Sequence, residues 1–453
     1  MAIISADLRF FAAQYPTDDA YGGGPMSNDI VLDGVSANVF PLIGESDQNL
    51  GRVQLRKAYA SVLSSNTDLL VNASVHVLTA PTDALVDVLL FTWGDALTTR
   101  SVAAAALATF PHGASSNGGG VSRSGSNFTL SGGTMPAIGD RLLLGVLTSI
   151  GTGLPIIVSA VATVATVSGA VVTLSPEPAV GAIITHWYAA SVGTATPKCC
   201  GATTLTAGVS ASATTITVDR VEGFVVPQTT PYPAAPQGIS SSGLSLLAGR
   251  VPMFRPGELV HIRNAGYTVS EVIQVSRVNY LAGQLEFSTG LANAYASGSV
   301  VSSLLPLGDL QAVAGSSFSQ QTWTRVFSDT LIGNPVSANY NRAGYDIAVS
   351  NIGSETERWA IVFTSDTAFK LIGEKLGQIA TGSTAAAFLP TNPATGQPYF
   401  SIPAAGWGTG WAVGNVLRFN TTGARAPFWL MRSISPLATA STDGAVIEMR
   451  GSY

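Results

Sequence analysis

Ionic side chains are scarce in this sequence. Asp, Glu, Lys and Arg make up 11% of it, against about 25% in ordinary soluble domains, while hydrophobic residues reach 46%. A dispersed monomer of this size normally carries more charge. The deficit therefore points to surface covered by other subunits, with a surface solvated by Ser, Thr and Gly as the alternative. Net charge is −5 and the basic residues are scattered. The densest group, Arg52–Lys57, has three basic residues in six positions on a strand-like segment. Without a basic face, nucleic-acid binding is not expected.

Cysteine is nearly absent, with two adjacent residues, Cys199 and Cys200, in 453. Adjacent cysteines rarely bond each other, because the small ring strains the peptide between them. Two cysteines also make no disulfide framework in so long a chain. A reducing compartment during synthesis fits, and an intermolecular bond is the other use open to them. Of the four histidines, His76, His112, His186 and His261, none stands at metal-ligand spacing with Cys, Asp or Glu. They read as single satisfied or exposed side chains, and no metal or cofactor is expected.

No G-x-S-x-G elbow is present to anchor a hydrolase triad, and the few acids are dispersed rather than paired for glycoside cleavage. Gly406–Gly414 (GWGTGWAVG) has the wrong spacing for a dinucleotide loop, and no βαβ unit surrounds it. Asp18, Asp19 and Asp29 would suit a cation site, but solvated loop acids are the plainer reading. The sequons at Asn72, Asn127 and Asn420 are chance matches in a chain rich in Ser and Thr. No enzymatic activity is expected.

Long apolar helices are missing too. The weakly polar run Leu142–Val180 is broken by Gly145, Gly151, Gly153, Pro155 and Gly169 and reads as strands rather than a membrane span. The opening MAIISADLRFF has neither a basic n-region nor a long apolar h-region, so no secretory signal is expected. Tyr453 and the alternating strands would suit an outer-membrane barrel, but regular ten-residue strands with aromatic girdles are absent.

What is present is alternation. Between Gly201 and Ser303, apolar and polar residues alternate in short runs punctuated by Gly, Asn or Ser, the period of half-buried strands. Strands are expected at Thr214–Val218, Leu259–Asn264, Ser270–Val278, Gln284–Ser288 and Ser299–Ser303. A second stretch, Ala137–Tyr188, carries a similar order of features. Gly139–Asp140 corresponds to Gly257–Glu258, Gly169 to Gly283 and Gly181 to Gly298, which suggests an internal duplication of about 50 residues. Convergent all-β patterning is the alternative.

The fold expected is mainly β, with several β-sandwich or small-barrel domains and one short helix. An N-terminal β domain covers 1–111. It has strands at Met1–Phe11, Arg52–Ser64, Val71–Thr79 and Val86–Thr92, a loop at Tyr15–Asp29, and the helix at Asp95–Phe110 with Asp95 as N-cap. A Gly/Ser linker covers 112–135. Small β modules follow at 136–196 and 197–306, the second with a Pro-rich insertion at 226–252. A C-terminal β-sandwich domain covers 307–453, with strands at Trp323–Ser328, Tyr345–Asn351, Arg358–Ser365, Phe369–Gly373, Gly377–Thr381, Val416–Thr421, Phe428–Ile434 and Ala445–Arg450.

The candidate subunit-contact residues are Pro231, Tyr232 and Pro233 in the insertion, well placed for an arm reaching a neighbour, and Trp407, Trp411, Phe428 and Trp429. Aromatic residues are enriched at interfaces, although the sandwich core is the plainer reading of the same four. Stacking on sugar rings is a third use.

The segment Thr391–Pro436 (TNPATGQPYFSIPAAGWGTGWAVGNVLRFNTTGARAPFWLMRSISP), together with IISADLRFF, GRVQLRKAYASV, TDLLVNASVHVLTAPTD and PGELVHI…YASGSVVSS, resembles uncharacterised structural proteins of tailed phages and Mu-like prophages. Ser115–Ser168 departs from that pattern. The resemblance implies a virion protein of the tail (tube, tip or baseplate region), made in the host cytoplasm and assembling symmetrically with copies of itself and other tail proteins. A host-receptor-binding adhesin at the tail tip is the alternative. The family carries no catalytic motif to transfer.

Overall fold

In a computed structural model of the chain, the residues described are 3–35, 37–108, 115–116, 120–131, 135–136, 138, 141–147, 156–175, 177–178, 184, 186–190, 199–224, 250–279, 283–327, 333–435 and 437–452. The fold is mainly β, built of several antiparallel sheets, one partly curled into a half-barrel. Its centre is a six-stranded sheet in the order Cys199–Cys200, Val86–Phe91, Arg425–Ile434, Arg52–Val62, Leu8–Tyr15, Gly23–Ile30. Arg425–Ile434 and Arg52–Val62 pair over ten consecutive positions, from Arg425 opposite Ser61 to Ile434 opposite Arg52, with no bulge.

Both faces of this sheet are covered. On one, Ala58, Ala60, Leu90, Phe428 and Leu430 form a core with Val75, Val77, Leu305 and Met449. The latter four belong to a three-stranded sheet ordered Leu305–Leu310, Leu70–Thr79, Val446–Ser452. On the other, Leu55, Leu89, Phe91, Trp429 and Met431 share a core with Met253, Phe254, Val260, Ile262 and Leu285. A strand buried on both faces reads as a continuous apolar run, which is why FWLM at Phe428–Met431 lacks clean alternation.

The C-terminal expectation is corrected here. Residues 313–422 do build a sheet of their own, ordered Val313–Thr322, Asn415–Thr422, Glu357–Phe363, Ala368–Gly373, Gly377–Ser383. Arg425–Ile434 and Val446–Ser452, however, are ladder strands of the two N-terminal sheets. A boundary at 307 therefore cuts through sheets rather than between them. Asn351, fully buried, ties the two parts together. Its side-chain Oδ1 accepts from Ala312 N (2.7 Å), and its Nδ2 donates to Ser64 Oγ (2.9 Å) and Asp68 O (2.8 Å).

Two modules between these parts repeat one topology. The second runs Ala202–Thr204, Val300–Ser303, Leu259–Arg263, Ser270–Asn279, Gln284–Phe287, Thr215–Thr217. The first runs Ser115–Ser116, His186–Ala190, Arg141–Leu147, Ile156–Ser168, Val171–Ser175, Asn127–Leu130, with Val121–Ser124 added outside. The registers coincide as well. The long strand of each is bulged at the same place, between Val164 and Thr166 in one and between Val275 and Arg277 in the other. Counting from that bulge, Leu142, Leu144, Ala162, Val172 and Leu174 take the positions of Val260, Ile262, Ile273, Leu285 and Phe287, and all ten are buried. Gly169 and Gly283 stand at matching turns with φ of 59° and 62°. Gly139, Asp140 and Gly181 lie outside the described residues.

Several expectations change. The 112–135 stretch is not a linker throughout, since Val121–Ser124 and Asn127–Leu130 form a hairpin within the first module. Gly125, with φ of 62°, makes its turn. The helix begins at Arg100 rather than Asp95 and runs over Arg100–Ala108 among the described residues. Asp95 caps a turn instead, accepting from Leu97 N at 2.9 Å. A six-residue helix at Glu45–Leu50 has no periodic signature. Trp323–Ser328 and Tyr345–Asn351 contain no ladder strand among their described residues.

Nor is Tyr15–Asp29 a simple loop, because Gly23–Ile30 is the edge strand of the central sheet. Its glycines hid it. Gly23 has φ of +98°, and a Cβ there would meet the Trp429 ring at 2.9 Å and Thr98 O at 3.0 Å. Gly23→Ala is expected to cost about 1–3 kcal/mol through combined strain and overpacking. Gly34→Ala, at φ +70° with nothing within 4 Å, should cost only the left-handed penalty of about 1 kcal/mol. Urea denaturation of the two variants measures the difference.

Candidate functional site

The four aromatic contact candidates are placed by the strands that carry them. Phe428 and Trp429 are fully buried in the central sheet. The Phe428 ring meets Phe10 edge-on at 5.7 Å, and Trp429 stacks on Phe91 at 6.3 Å while its Nε1 donates to Trp93 O at 3.2 Å. Trp411 is buried and stacked on Phe363 at 4.2 Å. Trp407 is half-buried among Tyr340, Phe363 and Phe369. The loop carrying the last two reaches the core because Gly408 passes against Asn339, whose Oδ1 would lie 2.5 Å from a Cβ. Three of the four are thus core residues of this chain rather than contact residues, and they offer no open platform for a sugar ring. Pro231, Tyr232 and Pro233 lie outside the described residues.

The Arg52–Lys57 group faces inward partners. Arg52 and Arg56 bind Asp18, with Arg100 Nε 3.7 Å from the same carboxylate. Asp18 is therefore committed to arginines, while Asp19 and Asp29 are exposed. Arg432, on the neighbouring strand, donates from Nε to Gln54 Oε1 at 2.8 Å and lies over Phe40. Burial lowers its pKa to about 10.

Lys57 is buried, and burial lowers its amine pKa to about 8 against the opposing pull of Asp95. A nucleophile is one use for such an amine. Here all three ammonium hydrogens are engaged, by the carbonyls of Asp95 (2.7 Å), Ala96 (2.8 Å) and Thr98 (3.2 Å). It acts as a clamp on the turn before the helix. Lys57→Met, similar in volume, leaves three carbonyls without their donor and is expected to cost about 1–3 kcal/mol. Hydrogen exchange in Ala96–Thr99 should accelerate with it.

Cys199 and Cys200 are free and buried, on a two-residue strand paired with Phe91 and Leu90. Burial pushes the Cys199 thiol up to about 12 and Cys200 higher still. Thiolate is the reactive form, so neither residue is expected to react with a thiol reagent at pH 8 until denaturant is added. Both should then titrate.

The histidines hold what the sequence concealed. His76 and His261, 185 residues apart, meet in the interior with His261 Nδ1 3.2 Å from His76 Nε2 and the rings edge to face at 4.9 Å. They are paired, not single. Glu448, opposite His76 in the ladder, has its Oε2 3.9 Å from His76 Nε2. Both imidazoles are held neutral. Burial lowers the pKa of His76 to about 3 with help from His261, Arg450 and Arg263, and that of His261 to about 4 with help from the two arginines. His186 lies in a ladder opposite Gly145, and His112 is outside the described residues. Among the described residues, no group of three or more His, Cys, Asp or Glu is arranged to hold a metal ion.

The five-stranded sheet ends in an open edge. Its outermost strand, Gly377–Ser383 (GQIATGS), pairs on one side only among the described residues, with Ala368–Gly373, and is bulged once, between Gln378 and Ala380. It has no ionic side chain and no Pro. Edge strands are ordinarily guarded by Lys, Pro or a bulge that turns the edge away. The other free edge of note, Gly23–Ile30, carries Pro25 and Asp29 and bulges twice against its partner. Compared with protein-family models and with curated proteins, the chain matches none.

Proposed function

We propose that this chain is a non-enzymatic structural subunit of a tailed-phage virion, made in the host cytoplasm and placed in the tail. It works by symmetric association with copies of itself and with other tail proteins. The observation that carries this reading is the edge Gly377–Ser383, which is bulged once but has neither charge nor Pro, on a chain with 11% ionic residues. Backbone N–H and C=O groups along such an edge pair readily with another strand, and little charge opposes the approach. Contacts of this kind close into rings or extend as filaments. The resemblance of Thr391–Pro436 and the N-terminal segments to phage structural proteins supplies the setting. The finer fold reading that accompanies it, several β-sandwich or small-barrel units, draws on the shared core between the central and three-stranded sheets and on the repeated six-strand order.

Sedimentation of the purified full chain tests the proposal. The wild type is expected to form a closed ring or a filament. Adding charge to the edge with Gln378→Lys and Thr381→Lys, both exposed positions, should weaken association at least about tenfold and release a 46.4 kDa species. A wild type that stays monomeric at high concentration refutes the reading.

A further inference from the structure

We infer that the His76–His261 pair is an acid-sensitive latch, which joins the strand Leu70–Thr79 to the second six-stranded module while both imidazoles are neutral and releases it when they are protonated. Four consecutive residues of Leu70–Thr79 make this junction. His76 meets His261, Val77 O accepts from Ser302 Oγ at 2.6 Å, Leu78 O accepts from Arg263, and Thr79 Oγ1 lies 3.4 Å from the Tyr267 hydroxyl. The junction is polar, beside the apolar core of Val75, Val77 and Leu305.

The pair is poised rather than settled. Each neutral imidazole carries one N–H. The facing nitrogens use one N–H as donor and one lone pair as acceptor, so the second N–H is left on His76 Nδ1 or on His261 Nε2. Neither of those buried atoms has a hydrogen-bond partner. A proton added to this site meets guanidinium groups from two elements, Arg263 beside His261 and Arg450 on Val446–Ser452. Tyr267 stacks on Arg263 at 3.8 Å and supplies no formal charge. The carboxylate at hand, Glu448, is 3.9 Å away and partly in solvent. With two protons, both facing nitrogens become donors and their hydrogen bond is lost. The same two guanidiniums oppose a divalent cation between the rings.

The two modules differ at this position. In the first module the register position of His261 is occupied by Leu143.

The sign follows from the lowered pKa values. An unfolded or opened imidazole takes up protons below about 6.5, whereas the closed pair resists them to about 4. The junction is fully stable above that ordinary range and weakens as pH falls through it. Hydrogen exchange of the full chain, corrected for intrinsic rates and compared at pH 7.5 and 4.5, reads this out. Protection in Leu70–Thr79 and Leu259–Arg263 should fall about tenfold per pH unit below 6 for each proton taken up, well beyond any loss in Ala368–Gly373. His261→Leu, which leaves His76 to titrate alone, should remove about one tenfold step per pH unit of that excess. The proposal is overturned if those two strands lose no more protection than Ala368–Gly373, or if His261→Leu loses as much as the wild type. Should that variant not fold, the contrast between strands in the wild type decides alone.

Discussion

The ten-residue ladder between Arg52–Val62 and Arg425–Ile434 is the contact on which the architecture rests. It joins the two ends of the chain at the middle of the central sheet and presents apolar residues on both sides of it. The three-stranded sheet packs on one face and the second module on the other. Take this ladder away and both flanking layers lose the surface they are built against. The polar ties, Asn351 among Ser64, Asp68 and Ala312 and the Glu355–Arg425 ion pair at 2.8 Å, hold the separate five-stranded sheet to that frame.

Local pattern foretold individual strands closely. Alternation alone predicts Leu259–Asn264, Ser270–Val278 and Gln284–Ser288, and the structure has Leu259–Arg263, Ser270–Asn279 and Gln284–Phe287. Partners were not legible in the same way. Period 2 tells which residues share a face but carries no information about which distant strand lies beside them. Sequence order alone therefore groups Phe428–Ile434 with its neighbours rather than with Arg52–Val62. Glycine misled once, at Gly23–Ile30, where it marks close approach to a tryptophan rather than a loop.

The candidate sites suffered from the same limit. Trp411, Phe428 and Trp429 are apolar side chains in apolar runs, and both core and contact readings fit them until the sheets are assembled. His76 and His261 had a faint signal in common, each being a histidine set among Val, Leu or Ile on a strand (SVHVL and LVHIR). Such a histidine is bound for the interior, but only the assembled fold shows that the two are bound for each other. The repeat was the reverse case. Three glycine correspondences suggested it, and strand order with a shared bulge makes the two modules superimposable in topology.

The long reach of the central ladder has a consequence for biosynthesis. Gln54 and its hydrogen-bonded neighbour Arg432 are 378 residues apart. At ribosomal rates of about 5–20 residues per second, roughly 20–75 s separate their emergence. Throughout that interval the nascent chain holds Arg52–Val62 with its principal partner still unmade. Sheet completion thus waits on the emergence of Arg425–Ile434, and termination before that segment leaves a product without this strand.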